Sequence, residues 1–149
     1  MPVMGVPKFE RFFREAASLD VDKDDIKRYS DFVNEEIYDL LLIGQATAKA
    51  NSRDVIERWD LPITKGLQES IHNFRKMDQD IELEPILDEL AARPQLDVTL
   101  SEETTADLAR IAGGVSVALA RAFKLLDTRL ENPSSEHWDR AFQLFRLLM

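Results

Sequence analysis

The chain has no cysteine in its 149 residues. Disulfide frameworks and thiolate metal sites are therefore excluded. Histidine is almost as scarce. His72 and His137 fall one in each half, and neither sits in a ligand pattern such as HExxH. Acids are plentiful, and Asp31, Glu35, Glu36 and Asp39 can share an acidic face, but no histidine or motif accompanies them. No cofactor, no metal site and no enzymatic activity are expected. There is also no glycine-rich phosphate loop: Gly113-Gly114 lies inside an apolar helical run, where a close helix crossing is the expected reason. No apolar run approaches the roughly 18 residues of a membrane span. Residues 40–44, LLLIG, are far too short, so no membrane contact is expected. The first ten residues hold no basic region followed by an apolar stretch, and a cytoplasmic protein without a signal peptide is the plain reading.

Positive charge is in deficit as well. The net charge is −9, and most of it falls in the second half. Residues 1–76 carry 12 Lys and Arg against 14 Asp and Glu, whereas residues 77–149 carry 7 against 14. A protein that neutralises phosphates over a broad surface should be basic. Any DNA contact is therefore expected to be weak, local and biased to the first half. The candidate basic edge there comprises Lys23, Lys27, Arg28, Lys49 and Arg58, with Arg53 read as a structural partner rather than a phosphate ligand.

What the chain does have is helical periodicity. From Asp24 to about Asn51, Ile26, Tyr29, Val33, Ile37, Leu40, Leu41, Gly44 and Ala48 recur at steps of three and four. This long helix reads as the element around which the rest is organised. A short helix over residues 8–17, with Phe9, Phe12 and Phe13 on one face, precedes it. An extended piece, residues 53–60, and a third helix over residues 61–77 follow. Residues 78–83 are acidic and aperiodic and read as a linker. The plan then repeats. A short helix covers residues 84–92, Ser101 caps a long helix running to about Thr128, and Asn132-Pro133 opens a final helix with Trp138, Ala141, Phe142, Phe145 and Leu148 apolar. The tripeptide Leu-Asp-Val occurs at residues 19–21 and again at 96–98. The expected class is all-α, with units at 1–77 and 84–149 forming one compact domain.

Short helix, long helix, short helix, joined by two brief loops, resembles the histone fold. In that fold an arginine in the second loop pairs with an aspartate seven residues on. Arg53 and Asp60 have that spacing, and Arg129 and Glu136 share it in the second half. The whole chain is similar to the small bacterial proteins, known from hyperthermophiles, that carry two tandem histone folds in one polypeptide. The resemblance implies an intramolecular pseudo-dimer, with Arg53–Asp60 as a loop clamp and Arg129–Glu136 as a candidate second clamp. It also shows departures. Where DNA-binding histones place basic or hydroxyl residues after the loop arginine, this chain has Asp54 and Val55, and the first-loop arginine position falls near Asp20. The expected role is thus a protein-association module, binding another protein or a further copy of itself. The alternative is a weak or non-specific DNA-binding architectural protein.

Overall fold

The computed structural model describes residues 6–90 and 95–148. Among these are six α-helices: α1 (Val6–Ala17), α2 (Lys23–Ala50), α3 (Lys65–Ile81), α4 (Glu84–Leu90), α5 (Glu102–Leu126) and α6 (Ser135–Leu148). Two short strands, β1 (Val55–Ile56) and β2 (Thr99–Leu100), pair in parallel, with Val55 opposite Thr99 and Ile56 opposite Leu100. The protein is mostly helical, and the expected end of a short helix at Ala92 lies outside the described residues.

The helix starts follow from local chemistry. Asp22 and Asp25 form a reciprocal cap at the head of α2: the Asp25 N–H donates to Asp22 Oδ1 at 2.9 Å, and the Asp22 N–H donates to Asp25 Oδ2 at 3.1 Å. Thr64 and Ser101 accept the N–H groups of Leu67 and Thr104 at the heads of α3 and α5. The third helix therefore begins at Lys65, four residues later than its apolar pattern suggests. Residues 58–60 form a separate 3₁₀ turn, and Pro62 lies in the extended piece between them. The acidic stretch 78–83 is not a loose linker either. Helix α3 continues to Ile81, which follows Phe74 and Met77 on the same face, and Ile81 and Leu83 are both buried. Asp78 then accepts the N–H groups of Leu83 and Glu84 and so caps α4.

The organising helix is α5 rather than α2. Helices α1, α2, α3, α4 and α6 all pack on α5. Every residue from Ile111 to Val117 is buried, on all sides of the helix. A helix apolar all round belongs in a core. Gly113 and Gly114 make a close crossing: a Cβ on Gly113 would lie 2.3 Å from the Phe74 ring, and one on Gly114 would lie 2.4 Å from Ile71 Cγ1 and 3.0 Å from its backbone nitrogen. The centre of α2 meets α5 through a polar chain. The Tyr29 hydroxyl donates to Ser116 Oγ at 2.6 Å, and Ser116 in turn donates to the Ala112 carbonyl. Aromatic edges of Phe9, Phe13, Phe123 and Trp138 close the core around it.

The two ends of the molecule are closed differently. At one, the β2 segment donates backbone bonds to the β1 segment, Thr99 N–H to Asp54 C=O at 3.0 Å and Ser101 N–H to Ile56 C=O at 3.1 Å. At the other, the Asp20 N–H donates to the Glu131 carbonyl at 2.6 Å.

Candidate functional site

The first candidate is the end built on β1. Helix α2 ends at Asn51, and Ser52 turns the chain with φ 58°, so that the Arg53 N–H reaches back to the Ala48 carbonyl at 2.9 Å. That turn aims the Arg53 guanidinium at the 3₁₀ turn. Arg53 Nη1 donates to Asp60 Oδ2 at 2.7 Å and Nη2 donates to Oδ1 at 2.6 Å, a bidentate pair. Nη1 also reaches the Val55 carbonyl, and the Glu57 N–H donates to Asp60 Oδ2. The Asp60 side chain is almost fully buried. The Arg53 hydrogen bonds hold its carboxyl below the ordinary carboxylate range, against the opposing effect of burial. Trp59, between these residues, is 72% exposed.

Arg129 and Glu136 are not brought together. Glu136 pairs with Arg140 at 2.7 Å, one turn along α6, while the Arg129 N–H donates to Asp127 Oδ1. The reason is the cap of α6. The Ser134 N–H and hydroxyl both meet His137 Nδ1, which leaves Glu136 on the outer side of the first turn.

The five basic candidates do not form one edge. Lys23, Lys27 and Arg28 stand at the head of α2, and Lys49 at its foot with Arg58 beyond. At 1.5 Å per residue the two groups are about 35 Å apart. Lys49 is paired to Asp97 at 2.9 Å and Arg58 to Asp107 at 3.0 Å. Asp20 and Asp54 are exposed at the two loop ends. Among the described residues, no three His, Asp or Glu side chains gather as a metal-binding set, and no helix is long and apolar enough to cross a membrane.

The second candidate is the outer face of α2. Helix α6 runs along its first half. Trp138 Nε1 donates to Asp25 Oδ1 at 3.0 Å, Phe142 stacks on Phe32 at 4.7 Å, and Arg146 meets Glu35 at 3.3 Å. Beyond Glu35 that cover is gone. Tyr38, Leu42 and Ile43 are 41%, 37% and 47% exposed, with Ala46 and Ala50 exposed further along. Residues 40–48 contain no charged side chain. At the margin lies Glu36, only 3% exposed, whose carboxyl is pushed up to about 7 by burial and by the neighbouring Asp39 and Glu35 carboxylates, with Arg146 opposing. Glu36 thus leaves the acidic outer face expected for it with Asp31, Glu35 and Asp39. Its position three residues after Val33 and four before Leu40 is the signal that puts it on the inner one.

Residues 9–146 match the family described as a domain of unknown function, DUF1931. Two proteins of Aquifex aeolicus (strain VF5), each described as an uncharacterized protein, are similar to the chain. One is 29% identical over 140 residues, covering 94% of this chain and 81% of the relative. The other is 31% identical over 137 residues, covering 83% and 80%. A crystal structure of a Thermus thermophilus protein is 51% identical, covers 99% of both chains and superposes with a TM-score of 0.87. A 1.9 Å crystal structure of an Aquifex aeolicus protein is 27% identical, covers 100% of this chain and 98% of the other, and gives a TM-score of 0.86. With nearly its whole length matched, the chain belongs to the DUF1931 family.

Proposed function

We propose that the chain is a tandem histone fold, two short–long–short units clasped within one polypeptide, and that it acts by protein association without enzymatic activity. Reciprocal loop pairing supports the fold reading. The loop after the first long helix pairs with the loop before the second, through β1 and β2. The loop before the first long helix meets the loop after the second, through Asp20 and Glu131. Head-to-tail clasping requires both contacts. In this reading the units are 1–77 and 84–149, the 78–83 joint is folded into the end of α3 and the cap of α4, and the Arg53–Asp60 pair is the loop clamp.

The observation that carries the functional reading is the exposed apolar face of α2 formed by Tyr38, Leu42, Ile43 and Ala46. Exposed large apolar side chains gathered on one helix mark an association surface. Its occupant in this proposal is a second copy of the chain. The helix carries no charge between residues 40 and 48, so two molecules of net charge −9 can meet there without like charges opposed at the centre. Ala46 and Ala50 let a facing helix approach closely. Sedimentation equilibrium over a concentration series tests this. The expected result is a mass that rises with concentration in the wild type and stays monomeric in a Leu42→Glu/Ile43→Glu variant. A wild type that stays monomeric throughout would overturn it.

The DNA-binding reading has less support. Lys49, Arg53 and Arg58 are each engaged by an aspartate, and acids stand at both loop ends. Dissociation constants no tighter than roughly 10⁻⁴–10⁻⁶ M are expected at physiological salt. Titration of duplex DNA at several salt concentrations checks this, and submicromolar, salt-sensitive binding would put the DNA reading first.

A further inference from the structure

A cavity of about 210 Å³ opens where the 3₁₀ turn, α3 and α5 meet. Its floor is apolar: Ile111 is buried, and Ile63 and Ile71 are half-buried. Its lining includes three arginines from three different elements, Arg58, Arg75 and Arg110. One carboxylate, Asp107, shares the rim, and both its oxygens are taken by Arg58. Arg110 meets Glu84 outside the cavity at 3.2 Å through Nε alone. Arg75 faces no carboxylate partner among the described residues. The cavity rim is thus net positive on a chain whose net charge is −9.

We infer that this cavity is a binding site for a small monocarboxylate with a short apolar body. The two halves of that description come from the two halves of the site. A guanidinium fork such as Arg75 matches a carboxylate in plane and in charge. An apolar floor gains from covering hydrocarbon and gives nothing to a bare inorganic anion. The size limits the body. At about 210 Å³ it lies below the roughly 300–1,000 Å³ of drug-sized ligand sites, so it suits a short chain of about six carbons. Asp107 tunes the site: by occupying Arg58 it leaves Arg75 and Arg110 as the anion's partners.

The test uses the full chain and hexanoate as the probe, followed by NMR of the isoleucine methyl groups. Hexanoate is expected to shift Ile63, Ile71 and Ile111 in a saturable way, with a dissociation constant on the order of 1 mM. Arg75→Gln, an exposed position that leaves the core intact, should weaken it about five-fold or more. Asp107→Asn, which releases Arg58, should tighten it. Two further probes need only the wild type. Hexanol has the body without the charge, and inorganic phosphate has charge without the body; both should bind the site more weakly than hexanoate. Equal shifts with hexanol, equal affinity for phosphate, or hexanoate binding indifferent to Arg75→Gln would each overturn the assignment.

Discussion

The two long helices have the same apolar period and opposite positions in the molecule. Helix α5 is buried on every side through its middle, while α2 is buried on one and open on the other. The difference lies in what crosses them. Helix α3, 17 residues long, crosses α5 at Gly113-Gly114 with Ile71 and Phe74 pressed onto the backbone. Helix α6, with 14 residues, follows α2 only as far as Glu35. Similar local plans can therefore produce one core helix and one surface helix. The small residues of α5 admit a neighbour to its backbone, whereas α6 ends at Leu148, two residues past the Arg146 that meets Glu35, and leaves the rest of α2 open.

The sharpest way to break this comparison is at the crossing. Gly114→Val places a Cβ 2.4 Å from Ile71 Cγ1 and 3.0 Å from the Ile71 backbone nitrogen, with two methyl groups beyond it, so Ile71 and the α3 backbone must shift. Loss of cooperative thermal unfolding is expected, or destabilisation of about 3 kcal/mol, the upper end for an overpacked core. A Gly114→Val protein that melts like the wild type would mean that α5 is not the core helix. Next in size is Asp60→Ala, at the end where α2 hands over to β1. It leaves the Arg53 guanidinium without its carboxylate and the Glu57 N–H without its acceptor. A fall in Tm on the order of 10 °C is expected by calorimetry.

Glu36 sharpens the contrast on the α2 side. Its folded value of about 7 lies above its ordinary 4.5, so the stability linked to its proton is complete below about pH 4.5 and is lost as pH rises through 7. Glu36→Gln should therefore stabilise the protein by up to about 3 kcal/mol at pH 8 and make little difference at pH 4. Urea midpoints of the two proteins at both pH values check the sign. The smallest effect belongs to Leu42→Ser, on the open face, which should change monomer stability by no more than about 0.5 kcal/mol. A larger loss in urea titration would show that the face is covered within the chain.

Much of the architecture is legible in the residues, and the differences have physical causes. The helices announce themselves because apolar steps of three and four persist through Phe9–Phe13, Ile26–Leu41 and Leu108–Phe123. The spacing of Arg53 and Asp60 marks a pair that the geometry shows as bidentate. Boundaries are less legible. Thr64, whose side chain caps α3, lies just past Pro62, and a proline suited to a first helical turn masks it. Residues 78–83 look like a linker because Ile81 and Leu83 are single apolar residues among acids, and periodicity needs more than two points. The centrality of α5 is the least legible feature. Periodicity measures one face, whereas a fully buried helix shows itself in what its other faces lack, and residues 111–120 contain no charge at all. The Arg58–Arg75–Arg110 cluster comes from three separate elements and has no sequence signature.

The two end closures also differ in what they cost the open chain. The β1–β2 contact joins residues 44 apart in sequence, Val55 to Thr99, and the Asp20–Glu131 contact joins residues 111 apart. Bringing the second pair together from the open chain costs about 0.8 kcal/mol more in loop entropy, and that difference falls to about 0.4 kcal/mol once the first closure has shortened the path. The β1–β2 end, with its bidentate Arg53–Asp60 pair beside it, is thus the cheaper closure, and the Asp20–Glu131 end, held by a single backbone bond, the costlier one. With two backbone bonds and the buried Asp60 side chain at one end and a single bond at the other, amide exchange in the native protein should be slower at Thr99 and Ser101 than at Asp20.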